Sequence, residues 1–413
     1  MDQLNTDLVF LRNKLRKVSI NEKLGYLKQE KGFSTRSIHA GQDPKQWKSG
    51  AIIPPIFTSV IYEQTVPRNM SDFFYSRINN PTRSVLQECL ASIEGSKYAL
   101  TFASGIAAIT AVITTLSSGD GIICSKHFYS GTLDSMLIAE KMGFDVQYID
   151  FTDLKQVEAA MKPNTRLVWT ESCMNPTLSV IDIKSVATIV HKKSKNTIVL
   201  VDNTFLTPYY LRPLELGADI ALYSLTKYFG GHSDVIGGSI SCNDDKIYEM
   251  LKKSQFQTGT MAQPFESYLI IRSVKTLSIR LEKHAENSYA VAKWLEAHPK
   301  IGKVNHPALK SHPGHEIAIK QSYGHSGIFS FYLKEDNFEK TKKFFASLKM
   351  IPICTSLGGV ETTVAFPREM SHHMYNDEEV YKMGVTYNLI RISIGIEDVE
   401  DIINDLEQAL DLI

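Results

Sequence analysis

Short apolar runs recur through the middle of the chain: YALTF (98–102), GIIC (121–124), DVQYI (145–149), RLVWT (166–170), TIVLVD (197–202) and DIALY (219–223). Each has the length of a strand, and helix-length segments separate them. Strands alternating with helices at this spacing predict βαβ units around a mostly parallel sheet. Ligands of such sheets sit at the carboxyl ends of the strands, where loops enter helices. The longest apolar stretch, 99–116, is broken by Thr, Ser and Gly. It therefore predicts a buried strand followed by a helix, because a membrane span wants about 20 predominantly apolar residues. A helical passage at about 264–297 leads to a second region. There GIFSFYL (327–333) and LIRISI (389–394) read as strands, and 336–348 and 397–411 as helices. The expected class is α/β, a mostly parallel sheet domain plus a smaller α/β C-terminal domain.

The beginning of the chain differs. Leu4, Leu8, Leu11, Leu15 and Val18 repeat at 4-3-4-3 spacing, the stripe of a packing helix, read as docking on its own protein or on a sister subunit. From Ser49 to Arg83 the text is loop-like, with Pro54, Pro55, Pro67 and the turn signal NNPT. The expected organisation is an N-terminal arm over 1–75, the main α/β domain over 76–270 and the C-terminal domain over 271–413. No internal repeat is visible.

Composition narrows the partners. Among 413 residues, 45 Lys and Arg balance 45 Asp and Glu, so nothing in the net charge calls for nucleic acid or an anionic membrane. A hydrophobic fraction of 43% with 22% charged residues is ordinary globular usage and argues against disorder. The first residues carry Asp2 and Asp7 and only the short apolar run LVFL, which does not read as a signal peptide. Cys89, Cys124, Cys173, Cys242 and Cys354 are scattered without CxxC or Cys/His ligand spacing. Neither a disulfide framework nor a zinc site is expected, and the expected compartment is a reducing cytoplasm.

Four features stand at strand ends. FASGIAA (102–108) follows a strand and opens a helix, so the amides of Gly105 and Ile106 are available to a phosphate. The plainer reading is Ser104 as N-cap, with glycine for a tight turn. VDNT sets Asp202 at the end of an apolar run, either as a turn cap or as a carboxylate for a protonated ring nitrogen. SLTKYFGGHSD (224–234) sets Lys227 beside the hydroxyls of Ser224 and Thr226. HFYSGT (127–132) puts Tyr129 just past a strand, for ring stacking or for core filling. The nucleotide fingerprints GxGxxG and GxxxxGK[ST] are absent. An amine, an acid and a phosphate cradle together describe pyridoxal phosphate, whose protonated ring is an electron sink for charge on a substrate α-carbon.

With YSRINNPTR (75–83), ESCMNPT (171–177), SLGGVET (356–362) and LIRISIGIED (389–398) added, the chain resembles the trans-sulfuration enzymes of cysteine and methionine metabolism over about residues 33–413. The resemblance implies the fold-type I, aspartate-aminotransferase-like class. It implies that Lys227 carries the cofactor and moves the substrate proton, that Asp202 partners the pyridinium, and that Tyr129 stacks on the ring. It implies that Tyr75 and Arg77 are lent to the phosphate of a neighbouring subunit, within a homotetramer built from dimers, and that Tyr129 or Tyr75 assists proton transfer. It also implies that Asn175 lies near the cofactor's hydroxyl and the substrate carboxylate, and that Arg391, assisted by Ser356, clamps that carboxylate.

The reaction implied is elimination on a sulfur amino acid of the cystathionine γ-lyase type, with cysteine, ammonia and 2-oxobutanoate as products. Replacement on an activated homoserine, methionine γ-lyase and cystathionine β-lyase reactions stand as alternatives. A cofactor-binding protein without catalysis and a Rossmann oxidoreductase are further ones. The substrate's far end is where this sequence departs from relatives. Thr355 stands where many cystathionine-processing members have Glu, Asp134 where they often have Arg, and Gly131 where methionine γ-lyases commonly have Cys.

Overall fold

The computed structural model describes residues 19–66, 72–126, 129–372 and 377–413. The leucine stripe of residues 4–18 lies outside them, as do His127 and Phe128.

Seven strands form the main sheet: β1 (Tyr98–Phe102), β2 (Gly121–Ser125), β3 (Asp145–Ile149), β4 (Thr165–Glu171), β5 (Ile198–Asp202), β6 (Ile220–Ser224) and β7 (Gly238–Cys242). Their order is β1-β7-β6-β5-β4-β2-β3, parallel from β6 to β3 and antiparallel where β7 joins β6 and β1. The six expected strands are all present. β4 runs on to Glu171, and β6 ends on Ser224.

β7 escaped the pattern because GSISC has no apolar run, yet all five of its residues are buried. Its small side chains let neighbouring backbone approach. A Cβ on Gly238 would lie 2.2 Å from the carbonyl oxygen of Ser104.

The second sheet is antiparallel, ordered β10-β11-β9-β8. Its strands are β8 (Ile301–Asn305), β9 (Ile328–Leu333), β10 (Thr363–Ala365) and β11 (Leu389–Ser393). The two expected strands occupy its centre. β8 and β10 lie at the edges: IGKVN has no apolar run, with Gly302 and Lys303 exposed, and β10 is only three residues long.

One reading of a turn is corrected. NNPT is a helix start, not a loop. Asn80 Oδ1 accepts the N–H groups of Thr82 and Arg83 at 3.0 and 3.3 Å, and Pro81 occupies the first position of the helix Pro81–Glu94. Proline suits that position because its missing N–H would have no partner there anyway.

The helix Leu277–Ala297 joins the two sheets. Its first half (Leu277, Leu281, Ala285) packs with Tyr223, Leu225 and Tyr228 beside the main sheet. Its second half (Val291, Ala292, Leu295) packs with Phe329, Phe331, Ile390 and Ile392 of the second sheet. One rigid rod thus sets the spacing of the two layers. Among the described residues no helix is long and apolar enough to cross a membrane.

Candidate active site

The site gathers where the carboxyl ends of β4, β5 and β6 meet the second sheet. Lys227 follows β6 by three residues, and its Nζ donates to Ser356 Oγ at 2.6 Å. Ser356 belongs to the loop before β10. Arg391, in the middle of β11, donates from Nη2 to the Ser356 carbonyl at 2.7 Å and from Nη1 to Asn175 Oδ1 at 3.1 Å. Lys227, Ser356, Arg391 and Asn175 are therefore one connected set drawn from both sheets. No carboxylate pairs with Arg391 among the described residues, so it is not the surface ion pair that an arginine on a strand might form.

The Ser356 loop has a backbone that its sequence requires. Gly358 has φ 80°, and a Cβ there would sit 2.8 Å from the Tyr228 nitrogen. Glycine alone lets the loop lie against the peptide that follows Lys227. The Gly358 N–H is then anchored on Ser393 Oγ at 2.8 Å. Thr355 precedes this loop and is exposed, as is Asp134 on the helix Ser130–Lys141.

Asp202 ends β5 and faces the same space. Its Oδ1 accepts the Thr204 N–H at 2.9 Å, so the turn-cap reading holds for one oxygen. Thr204 Oγ1 in turn accepts the N–H of Ser224 at 2.8 Å, tying the end of β5 to the end of β6.

The candidate phosphate cradle is built by close approach. The helix Gly105–Ile113 is capped by Ser104, whose Oγ accepts the Ala107 N–H at 3.0 Å. By helix geometry the Gly105 and Ile106 amides have no partner within the helix. Gly105 makes no left-handed turn, contrary to the tight-turn reading. It is small because a Cβ would lie 3.3 Å from the Ser224 Cβ. With Gly238 tighter still behind Ser104, helix start and strand end close into a pocket of amides and hydroxyls that suits a phosphate. Thr226 Oγ1 is engaged with the backbone of Gly237, donating to its carbonyl at 3.3 Å and accepting its N–H at 3.1 Å.

Tyr129 is 46% exposed, which removes core filling as its explanation. Its ring lies over Gly131, where a Cβ would come within 2.6 Å of the ring and 2.7 Å of Ile106 Cδ1. Tyr75 and Arg77 are engaged elsewhere. Tyr75 bridges to Ile61, while Arg77 lies over the Tyr75 and Phe256 rings and donates to the Phe256 carbonyl at 3.1 Å.

Electrostatics prepare the amine. Burial, then the nearby Arg391, bring Lys227 down to about 8, with Asp202 pulling the other way. Burial raises Asp202, opposed by Thr204 and by Lys227, and lowers Arg391 to about 10. A lysine at about 8 holds a usable fraction of neutral amine near neutral pH, which an ordinary lysine does not. These residues fit pyridoxal phosphate: a nucleophilic amine, a half-buried acid and a pocket of amides and hydroxyls suited to a phosphate. Only the neutral amine attacks an aldehyde. Capture of pyridoxal phosphate by the apoprotein, trapped with borohydride at early times, therefore rises with pH, reaches half its maximum near pH 8 and then levels. A rate still climbing at pH 10 would show an unperturbed lysine.

Three contributors went unassigned on the sequence. Thr204 and Gly238 act through backbone geometry that no local pattern announces. Glu171 had a signal, an acid at the end of an apolar strand, the same one that marked Asp202.

The family of Cys/Met metabolism PLP-dependent enzymes matches residues 34–411. Human cystathionine gamma-lyase is 43% identical over 389 residues, 94% of this chain and 95% of that protein. Among solved structures, metB from Corynebacterium glutamicum superposes with a TM-score of 0.87 at 39% identity, covering 92% of this chain and 98% of its own. Cystathionine gamma-lyase from Lactobacillus plantarum, complexed with L-serine, gives 0.88 at 33%, covering 92% and 99%. This chain therefore belongs to the Cys/Met metabolism enzymes that depend on pyridoxal phosphate.

Proposed function

We propose that this protein catalyses γ-elimination on cystathionine, releasing cysteine, ammonia and 2-oxobutanoate. The observation that carries the reading is the 2.6 Å contact between Lys227 Nζ and Ser356 Oγ, which puts an amine of depressed basicity beside the Arg391 guanidinium. The 43% identity to the human enzyme of that name supports the substrate.

Bound pyridoxal phosphate supplies the sink for charge on the substrate α-carbon. Ser104, Gly105, Ile106, Ser224 and Thr226 hold its phosphate, Asp202 its ring nitrogen, and Tyr129 its ring face. Arg391 and Asn175 grip the substrate carboxylate, a bidentate fork matched to that group. Ser356 holds the Lys227 amine in reach of the α-proton, which Lys227 removes as general base.

Tyr75 and Arg77 complete the site of a second copy. The apolar residues Ile52, Ile61 and Val66 are 72%, 72% and 52% exposed, a surface suited to burial between subunits. The assembly is a homotetramer, a dimer of dimers with shared sites. The five free cysteines suit a reducing cytoplasm. The chain divides into an arm to residue 75, a cofactor domain over 76–270 and a C-terminal domain over 271–413.

The test supplies cystathionine, methionine and an O-acylhomoserine, the last with and without a thiol, and assays oxoacid and thioether separately. Elimination on cystathionine is the expected dominant reaction; substitution that far outruns elimination overturns the proposal. Thr355→Glu adds a carboxylate beside Ser356 for the distal ammonium. An exposed pair of this kind is worth up to about 1 kcal/mol, so kcat/KM for cystathionine relative to O-acylhomoserine rises about fivefold. Unchanged selectivity would remove position 355 as discriminator.

A further inference from the structure

Glu171 closes β4 directly opposite Asp202 of β5. It is 6% exposed. Its two oxygens are used separately: Oε1 accepts the Tyr129 N–H at 2.8 Å, and Oε2 accepts the Asn175 N–H at 3.2 Å. Tyr129 starts the helix Ser130–Lys141, with the Thr132 and Leu133 N–H groups on its carbonyl. Asn175 sits in a loop held by Met174–Ser179 and Leu178–Met174 backbone bonds, and its Oδ1 takes the Arg391 guanidinium. One buried carboxylate thus spans the segment that carries the exposed tyrosine ring and the segment that carries the arginine's partner.

The strand does not need this side chain to hold its place. The backbone of β4 remains paired with β5, and the Ser172 N–H bonds the Asp202 carbonyl at 2.9 Å whatever occupies position 171. What the carboxylate adds is a fixed distance between two loops that no ladder connects.

We propose that Glu171 is a positioning residue: by accepting both amides it sets the Tyr129 ring and the Asn175–Arg391 clamp relative to one another. This rests on the reading of Tyr129, Asn175 and Arg391 given above. Two acceptor oxygens on one side chain are what fits; burial and the facing Asp202 push the group up to about 8, and the two amides it accepts pull it back. A glutamine of the same shape keeps one acceptor but turns an NH2 on the other N–H, leaving one amide unsatisfied.

Glu171→Gln in the holoenzyme tests it. The expected variant still yields a borohydride-fixed adduct on Lys227 and melts close to wild type. Its visible circular dichroism from the bound cofactor is reduced, and KM rises about tenfold as the Asn175–Arg391 clamp is misplaced, with a smaller fall in kcat. Wild-type dichroism and KM in a folded variant overturn the proposal, as does a lowered melting temperature with unchanged KM. Should the glutamine variant fail to fold, Glu171→Asp keeps the charge but is one methylene too short to reach both amides. A folded aspartate variant with raised KM supports the proposal, and one with wild-type KM overturns it. A wild-type protein that yields no adduct on Lys227 overturns the underlying reading instead, and this inference with it.

Discussion

Lys227→Ala loses turnover by about 10⁴-fold, the upper end of what a positioned general base contributes, and loses the borohydride adduct altogether. The same change leaves the apoprotein at least as heat-stable as wild type, which separates loss of chemistry from loss of fold. The sign follows from linkage. An ordinary lysine titrates at 10.5, and this one at about 8 when folded. Between those values the unfolded chain binds more protons than the folded one, so stability rises with pH across that interval, and below about 8, at pH 7 included, the amine opposes folding in full. Removing it removes that opposition. A partly neutral amine is what the proposed reaction requires, which accounts for a lysine held at this cost. A variant of undiminished turnover sinks the proposed function; a variant that melts well below wild type sinks the electrostatic account of the site.

Arg391→Ala is expected to lower kcat/KM by about 10³-fold, mostly through KM, because the substrate carboxylate loses its charge partner, and truncating one side of a hydrogen-bonded charge pair enclosed on binding costs roughly 2–5 kcal/mol. Two further effects follow from the contacts it makes. Asn175 Oδ1 and the Ser356 carbonyl lose their donor, and Lys227 loses a positive neighbour that helps to depress it. The pH at which apoprotein captures pyridoxal phosphate therefore moves up in this variant. Arg391→Lys recovers only part of the loss, since an ammonium is a point charge without the planar fork. An unaltered KM together with an unmoved capture profile would take Arg391 out of the carboxylate site.

The parallel core of the fold was legible because its signal is local and repeated. Strands buried on both faces read as continuous apolar runs, and Leu167, Val168, Val199, Leu200 and Ile220 are all at 0% exposure. β7 was not legible, since Ser239 and Ser241 are buried for reasons of close packing that a hydropathy pattern does not carry. Asn80 shows the converse. Its side chain supplies the helix cap, but a dipeptide of asparagines before proline is equally good turn text, and only the continuing helix decides between them.

The site divides in the same way. Lys227, Asp202, Gly105 and Tyr129 were recognisable because each closes or follows an apolar strand, and the chemistry of a carboxylate or amine at a strand's end is unusual enough to notice. Glu171 offered the same signal, but its partners are backbone amides at 129 and 175, which have no letter in the sequence. Thr204 and Gly238 were hidden for a like reason: each acts through what approaches it.

The order of residues along the chain was sufficient, on its own, to determine the α/β class and the cofactor, because strand periodicity and side-chain chemistry are properties of short segments. The second sheet's contribution was decided only in three dimensions. Arg391 lies 164 positions beyond Lys227 in sequence, and their meeting at Ser356 depends on a rod-like helix packed into both cores and on a glycine loop that no side chain may enter. Distances between remote segments are set by packing, and packing is a property of the folded whole.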